Sequence, residues 1–239
     1  MDNSNPLDKA LSRLDRINMY TPKEVGEASE GVGLYAWYSI PNIGKPDWEK
    51  NIKDGEDKGR ENFENFLGRH TNRHKFPPFK SVVEGTFSQR LEGVLEDESY
   101  KGISGEKEKP EKPVLKTINS AKHREKMVET LSACTPLISS PIYIGVSNSL
   151  RERLMKHVSE LRNFQSNFKG RPIPENIEKE KTTFAFRAAK MGFTTEHLYV
   201  ITLGTSGVND DLSEEQVRTV SEALEWFLNR WHKPFLGRE

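Results

Sequence analysis

Two short, aromatic, glycine-flanked runs constrain this chain most: Gly31-Val-Gly-Leu-Tyr-Ala-Trp-Tyr38 and Pro141-Ile-Tyr-Ile-Gly-Val146. Both read as strands. Between them, residues 41–140 lose the pattern. Residues 41–60 are turn-rich and charged, and residues 101–116 (KGISGEKEKPEKPVLK) are low in complexity and read as a solvated loop. Within this stretch, residues 60–68, 87–97 and 119–131 are predicted as helices. A sheet whose strands lie on either side of such a stretch has to tolerate a long insertion, and a surface loop can do so while the core stays intact.

Order returns after residue 140. Asn148 or Ser149 can cap a helix running to about Asn163, with Leu150, Leu154 and Leu161 as its apolar stripe. Residues 183–191 read as a short helix stopped by Gly192. His197-Leu-Tyr-Val-Ile-Thr202 reads as a buried strand. Ser213 with Gln216 makes a capping box for a last helix, which ends near His232 before Pro234. At the other end, Leu7, Ala10, Leu11, Leu14 and Ile17 share one face of a helix predicted over residues 6–19. The expected organisation is an N-terminal helical extension (1–30), a core from 31–40 and 141–239, and an insertion (41–140).

Composition narrows the function classes. No apolar run approaches the roughly 18 residues that a membrane span needs. The N-terminus lacks a cationic start followed by an apolar stretch, so no secretory leader is expected. Cys134 is the single cysteine, which excludes an internal disulfide and makes a reducing cytoplasm the expected setting. The formal net charge is zero, but its distribution is uneven. Residues 149–190 carry ten Lys/Arg against five Asp/Glu, and residues 191–239 carry four against eight. A basic stretch followed by an acidic one suits a phosphate-binding surface beside a carboxylate metal site. No Gly-rich phosphate loop ends in Lys-Ser/Thr. His70 and His74 are spaced i, i+4, yet no cysteine or carboxylate cluster completes a zinc site.

Gly33-Leu34-Tyr35 and Tyr143-Ile144-Gly145 resemble the two signature tripeptides of the GIY-YIG nuclease superfamily. In that family an arginine follows the second glycine by eight residues and a histidine by twelve; here those positions hold Arg153 and His157. The family's late-helix glutamate, with proline nine residues on, matches Glu225 and Pro234. The asparagine expected twelve residues after the glutamate is replaced by Gly237. The resemblance covers residues 31–38 and 141–237. It implies an α/β fold: a small, mainly antiparallel three-stranded sheet flanked by helices, with the long insertion between the first two strands.

The resemblance also implies roles. Tyr35, its proton loosened by its surroundings, would activate water, and Tyr143 would position the water or a phosphate oxygen. Arg153 would stabilise charge developing on phosphorus, and His157 would orient a phosphate or assist proton transfer. Glu225 would hold one Mg²⁺ (or Mn²⁺). The residue chemistry is compatible. Arg153 and His157 share a helix face, and arginine offers a planar donor fork to phosphate oxygens. A carboxylate at the edge of an apolar helix face tends to need a partner such as a cation.

Within the insertion, Arg69-His-Thr-Asn-Arg-His-Lys-Phe-Pro-Pro-Phe-Lys80 interleaves basic and aromatic residues, which makes Arg69, Arg73 and Lys75 candidates for nucleic-acid contact. Arg151 and Lys156 are further candidates beside the Arg153 site. The expected function is a metal-dependent DNA endonuclease, restriction-like or defence-related, since its organisation is closest to GIY-YIG restriction endonucleases. A structure- or single-strand-specific repair nuclease and a catalytically weak nucleic-acid-binding module are the alternatives. One active site cuts one strand at a time, so a homodimer would suit double-strand cleavage.

Overall fold

A computed structural model describes residues 17–74, 112–168, 183–204 and 213–237. The chain divides into two compact units: residues 1–42 with 129–239, and residues 43–128. The boundary falls inside one helix, Ala121–Ile138.

The first unit is an antiparallel four-stranded sheet with helices. Its strands are β1 (Ile17–Tyr20), β2 (Gly33–Ser39), β5 (Tyr143–Ser147) and β6 (Leu198–Gly204), in the order β1-β6-β2-β5. The α/β class and the antiparallel pairing agree with the sequence reading, but the sheet gains an edge strand. Ile17, expected on a helix face, instead pairs with Leu203, and the ladder continues to Tyr20 opposite Val200. β6 would otherwise present an unpaired edge, and a strand carrying Ile and Tyr satisfies its backbone groups. The rest of the predicted N-terminal helix lies outside the described residues.

β2 is central, and its register places the site. Tyr35 faces Gly145 on β5 and Thr202 on β6, and Trp37 faces Tyr143 and Val200. Side chains alternate along a strand, so Tyr35, Trp37 and Tyr143 share one face. Against that face packs the helix α5 (Leu150–Phe168), which buries Leu150, Leu154, His157, Val158 and Leu161. Ser149 caps it, its hydroxyl accepting from the Glu152 amide at 3.4 Å. Gly33 allows the helix to approach: a Cβ there would stand 2.6 Å from the Leu203 carbonyl oxygen and from a Leu150 methyl.

The short helix α6 (Phe184–Lys190) is capped by Thr183 and adds Phe184, Ala185 and Ala188 to the core. The last helix, α7 (Glu214–His232), opens on the Ser213–Gln216 capping box. It closes at Lys233, which adopts the left-handed conformation (φ 46°) before Pro234.

The second unit holds α1 (Lys45–Trp48), a hairpin of β3 (Ile52–Lys53) and β4 (Glu56–Asp57), α2 (Lys58–Arg73), α3 (Lys112–Ile118) and the start of α4 (Ala121–Ile138). The hairpin turns through Asp54 and Gly55, both at positive φ (54° and 83°), a pairing suited to tight two-residue turns. Phe63, Phe66 and Ile118 are buried. Arg124 is fully buried, and each of its three guanidinium nitrogens donates: to the carbonyls of Trp48 (2.7 Å) and Ile118 (2.7 Å) and to the Asp57 carboxylate (2.8 Å).

Two expectations for this stretch are corrected. Residues 112–116, placed at the end of the solvated loop, belong to the helix Lys112–Ile118, because Pro113 at a first-turn position followed by Val-Leu suits a helix start. The helix expected at 60–68 extends to Arg73. The helix expected at 87–97 lies outside the described residues. No helix among those described is long and apolar enough to cross a membrane.

Candidate active site

Four of the expected residues converge. Tyr35 is 1% exposed, and its ring centroid lies 6.1 Å from that of Tyr143 and 5.5 Å from that of His157. The Tyr143 and His157 rings meet edge to face at 6.0 Å. Arg153, one turn before His157 on α5, makes a long 3.4 Å hydrogen bond from Nε to the Tyr35 hydroxyl.

The glycine of the second tripeptide has a local reason. A Cβ on Gly145 would stand 2.5 Å from the Tyr35 hydroxyl oxygen and 2.6 Å from its Cζ. The phenol tip lies directly over that strand residue, and any larger side chain would push it aside.

Burial pushes the Tyr35 pKa well above that of an ordinary phenol, the neighbouring Tyr143 adds to the effect, and Arg153 offsets it only in part. The protein groups by themselves hold the Tyr35 proton, and loosening it would take a further positive charge beside the phenol. His157 moves the opposite way: burial first, then the charges of Arg153, Lys156 and Arg187, push it down to about 3, so it is neutral at ordinary pH.

Sequence reasoning missed three contributors. Trp37 donates from Nε1 to His157 Nδ1 at 3.1 Å and stacks on Phe184 at 5.2 Å. Arg187 lies 5.5 Å from the centre of the Tyr143 ring and donates to the Gly237 carbonyl at 2.9 Å. The strand alternation that places Tyr35 also places Trp37 two residues on, so that signal was present; nothing in the sequence pointed to Arg187.

Beside the cluster lies an open groove of about 370 Å³ lined by Ser147, Asn148, Arg153, Lys156, Arg218 and Glu222, among others. Lys156 is exposed there, while Arg218 pairs with Glu222 at 2.8 Å. Arg151 is engaged elsewhere, donating to the Ala28 carbonyl at 2.9 Å and pairing with Glu30. Its guanidinium ties residues 28–30 to the start of α5, so as a nucleic-acid contact it would first have to give up these partners.

Glu225 is half-buried on α7, three residues after Glu222 and four after the buried Ser221. Glu222 lines the groove and Glu225 does not. Among the described residues no group of three or more His, Cys, Asp or Glu is placed to hold a metal ion. A single carboxylate is a sparse but chemically suitable ligand for a hard divalent cation, since Mg²⁺ commonly keeps several waters and takes one or two protein carboxylates.

The Gly237 departure also has a local account. A Cβ at that position would stand 2.9 Å from the Pro234 carbonyl oxygen and 3.2 Å from Asn229 Oδ1, so the space beside it is taken by an asparagine from α7.

In the second unit, Arg69 is exposed near the end of α2. The Arg73 side chain and all of Lys75 lie outside the described residues. Compared with family models, curated proteins and solved structures, the chain shows no match.

Proposed function

We propose that this chain is a metal-dependent DNA endonuclease of the GIY-YIG type, hydrolysing phosphodiesters at the Tyr35–Tyr143–Arg153–His157 cluster. The observation that carries the reading is the convergence itself. Residues 35, 143, 153 and 157 were singled out by the resemblance to the family's two tripeptides and the spacing that follows them, and they meet through two paired strands and the following helix. The adjoining groove offers Arg153 and Lys156 to phosphate oxygens. Arg153 can stabilise charge on a phosphorane-like transition state, and the two phenols can hold an attacking water or a phosphate oxygen. Glu225 would hold the divalent ion, which when bound supplies Lewis-acid stabilisation and lowers the pKa of nearby water or phenol.

Restriction-like action on duplex DNA is the finer form of the proposal and calls for a homodimer. An exposed stripe on α7 (Val220, Leu224, Phe227 and Trp231) has the 4-3-4 spacing that helices use to pair, and Trp231 is 70% exposed.

The test is cleavage of duplex and single-stranded DNA with and without Mg²⁺, on wild type and Glu225→Gln. Cleavage by wild type, lost in Glu225→Gln with DNA binding retained, is expected. Discrete bands would mark site-specific action; preference for single strands would favour the repair reading. Binding without any cleavage would leave only a nucleic-acid-binding module, and near-normal cleavage by Glu225→Gln would remove that residue from the site.

A further inference from the structure

The partner of His157 determines what kind of group it is. Its ring is buried among Trp37, Tyr35, Tyr143 and Phe184, with Arg153, Lys156 and Arg187 the charged groups acting on it. Trp37 Nε1 lies 3.1 Å from His157 Nδ1. An indole nitrogen is a donor only, so Nδ1 has to present its lone pair. A neutral imidazole carries one proton, and with Nδ1 accepting, that proton sits on Nε2. A doubly protonated ring would set one N–H against another, inside an apolar pocket with three cations acting on it. Trp37 can play this part because it is itself fixed: it is 1% exposed and stacked on Phe184 at an interplanar angle of 14°.

We propose that Trp37 is a positioning residue that locks His157 into the tautomer protonated at Nε2, so that His157 serves the site as a neutral hydrogen-bond donor to an anionic phosphate oxygen rather than as a proton shuttle. The phosphate part of this inference rests on the nuclease reading; the tautomer does not. A neutral donor fits a site already supplied with Arg153 and Lys156. It orients an oxygen without adding a further buried charge, and it stays ready after each turnover because it never has to exchange its proton.

Ring-nitrogen NMR on the ¹⁵N-labelled full chain reads the tautomer directly. In wild type, His157 is expected to show an unprotonated Nδ1 and a protonated Nε2, unchanged across the usual titration range of about pH 5 to 8. A proton on Nδ1, or a doubly protonated ring at neutral pH, would overturn the proposal whatever the activity. Trp37→Phe keeps an aromatic ring against Phe184 and removes the donor, so both tautomers should then be populated. If that variant does not fold, the wild-type resonances still decide.

Two substitutions test the donor role. Glutamine at 157 can place an N–H near the Nε2 position, whereas asparagine reaches only as far as Nδ1. His157→Gln should keep single-turnover cleavage within roughly tenfold of wild type, and His157→Asn should lose about a hundredfold, the scale of one preorganised donor. Equal loss in both would overturn the donor role. If wild type cleaves nothing, the nuclease reading and the phosphate role fall together, and the resonances still accept or reject the Trp37 lock.

Discussion

At the scale of single residues, the glycine of the second tripeptide makes a sharper test than the tyrosines themselves. Gly145→Ala alters no titratable or hydrogen-bonding group, yet its methyl would stand only 2.5 Å from the Tyr35 hydroxyl oxygen, too close for both to keep their places. Displacing a reacting group by about 1 Å can cost roughly a hundredfold. Gly145→Ala should therefore lower single-turnover cleavage by about that factor while the protein stays folded, as followed by circular dichroism beside the kinetics. Unimpaired cleavage would mean that the Tyr35 hydroxyl does not act from this position. Arg153 and Arg151 form a second test, because they sit two positions apart on α5 and do different things. Arg153→Ala should cut cleavage by at least about a hundredfold and cost less than about 1 kcal/mol of stability. Arg151→Ala should keep cleavage within a few fold and cost about 1 kcal/mol, through loss of its hydrogen bond to Ala28 and its pairing with Glu30. Denaturant melts and gel kinetics on both variants check the assignment, and the opposite pattern would place the wrong arginine in the site.

Elements show how far local pattern reaches. The strands around Tyr35, Tyr143 and Tyr199 and the helices begun by Ser149 and Ser213 were legible, because their periodicity and caps are written within a few residues of one another. β1 was not, because Ile17 extends an apolar helical stripe in sequence and only the distant edge of β6 turns it into a strand. The β3–β4 hairpin carries an Asp-Gly turn, but its two-residue strands leave almost no alternation to detect. The Trp37–His157 bond joins residues 120 positions apart, and no local pattern announces such a contact. The Arg124 node was hidden for the same reason, and it yields a prediction for its unit. Arg124→Met would leave the Trp48 and Ile118 carbonyls and the Asp57 carboxylate without this donor. Breaking one side of a buried ion pair costs about 3–5 kcal/mol. Hydrogen exchange should therefore rise across residues 43–74 and 112–128, and unchanged protection there would show that the node is dispensable.

For the whole molecule, the buried histidine ties stability to pH. Its pKa is near 6.5 in the unfolded chain and about 3 when folded. Between those values the unfolded state binds the extra proton, so stability is full above about pH 6.5 and falls as the pH drops toward 3. The slope from this one group approaches about 1.4 kcal/mol per pH unit. Urea melts across that window should show the fall, and His157→Gln should flatten it by one proton's worth; an unchanged slope would mean that His157 titrates normally. The insertion has a consequence of a different kind, for folding. The β2–β5 pairing that sets Tyr35 beside Tyr143 must close 107 intervening residues. Closure entropy for a flexible chain of that length is about 4 kcal/mol beyond a constant. If residues 43–128 are already compact, the flexible chain left to close is far shorter and that barrier falls. The segment between the two tyrosines would then act on the rate at which the site is assembled, and a variant such as Arg124→Met would be slow to form an active site that none of its altered contacts touches.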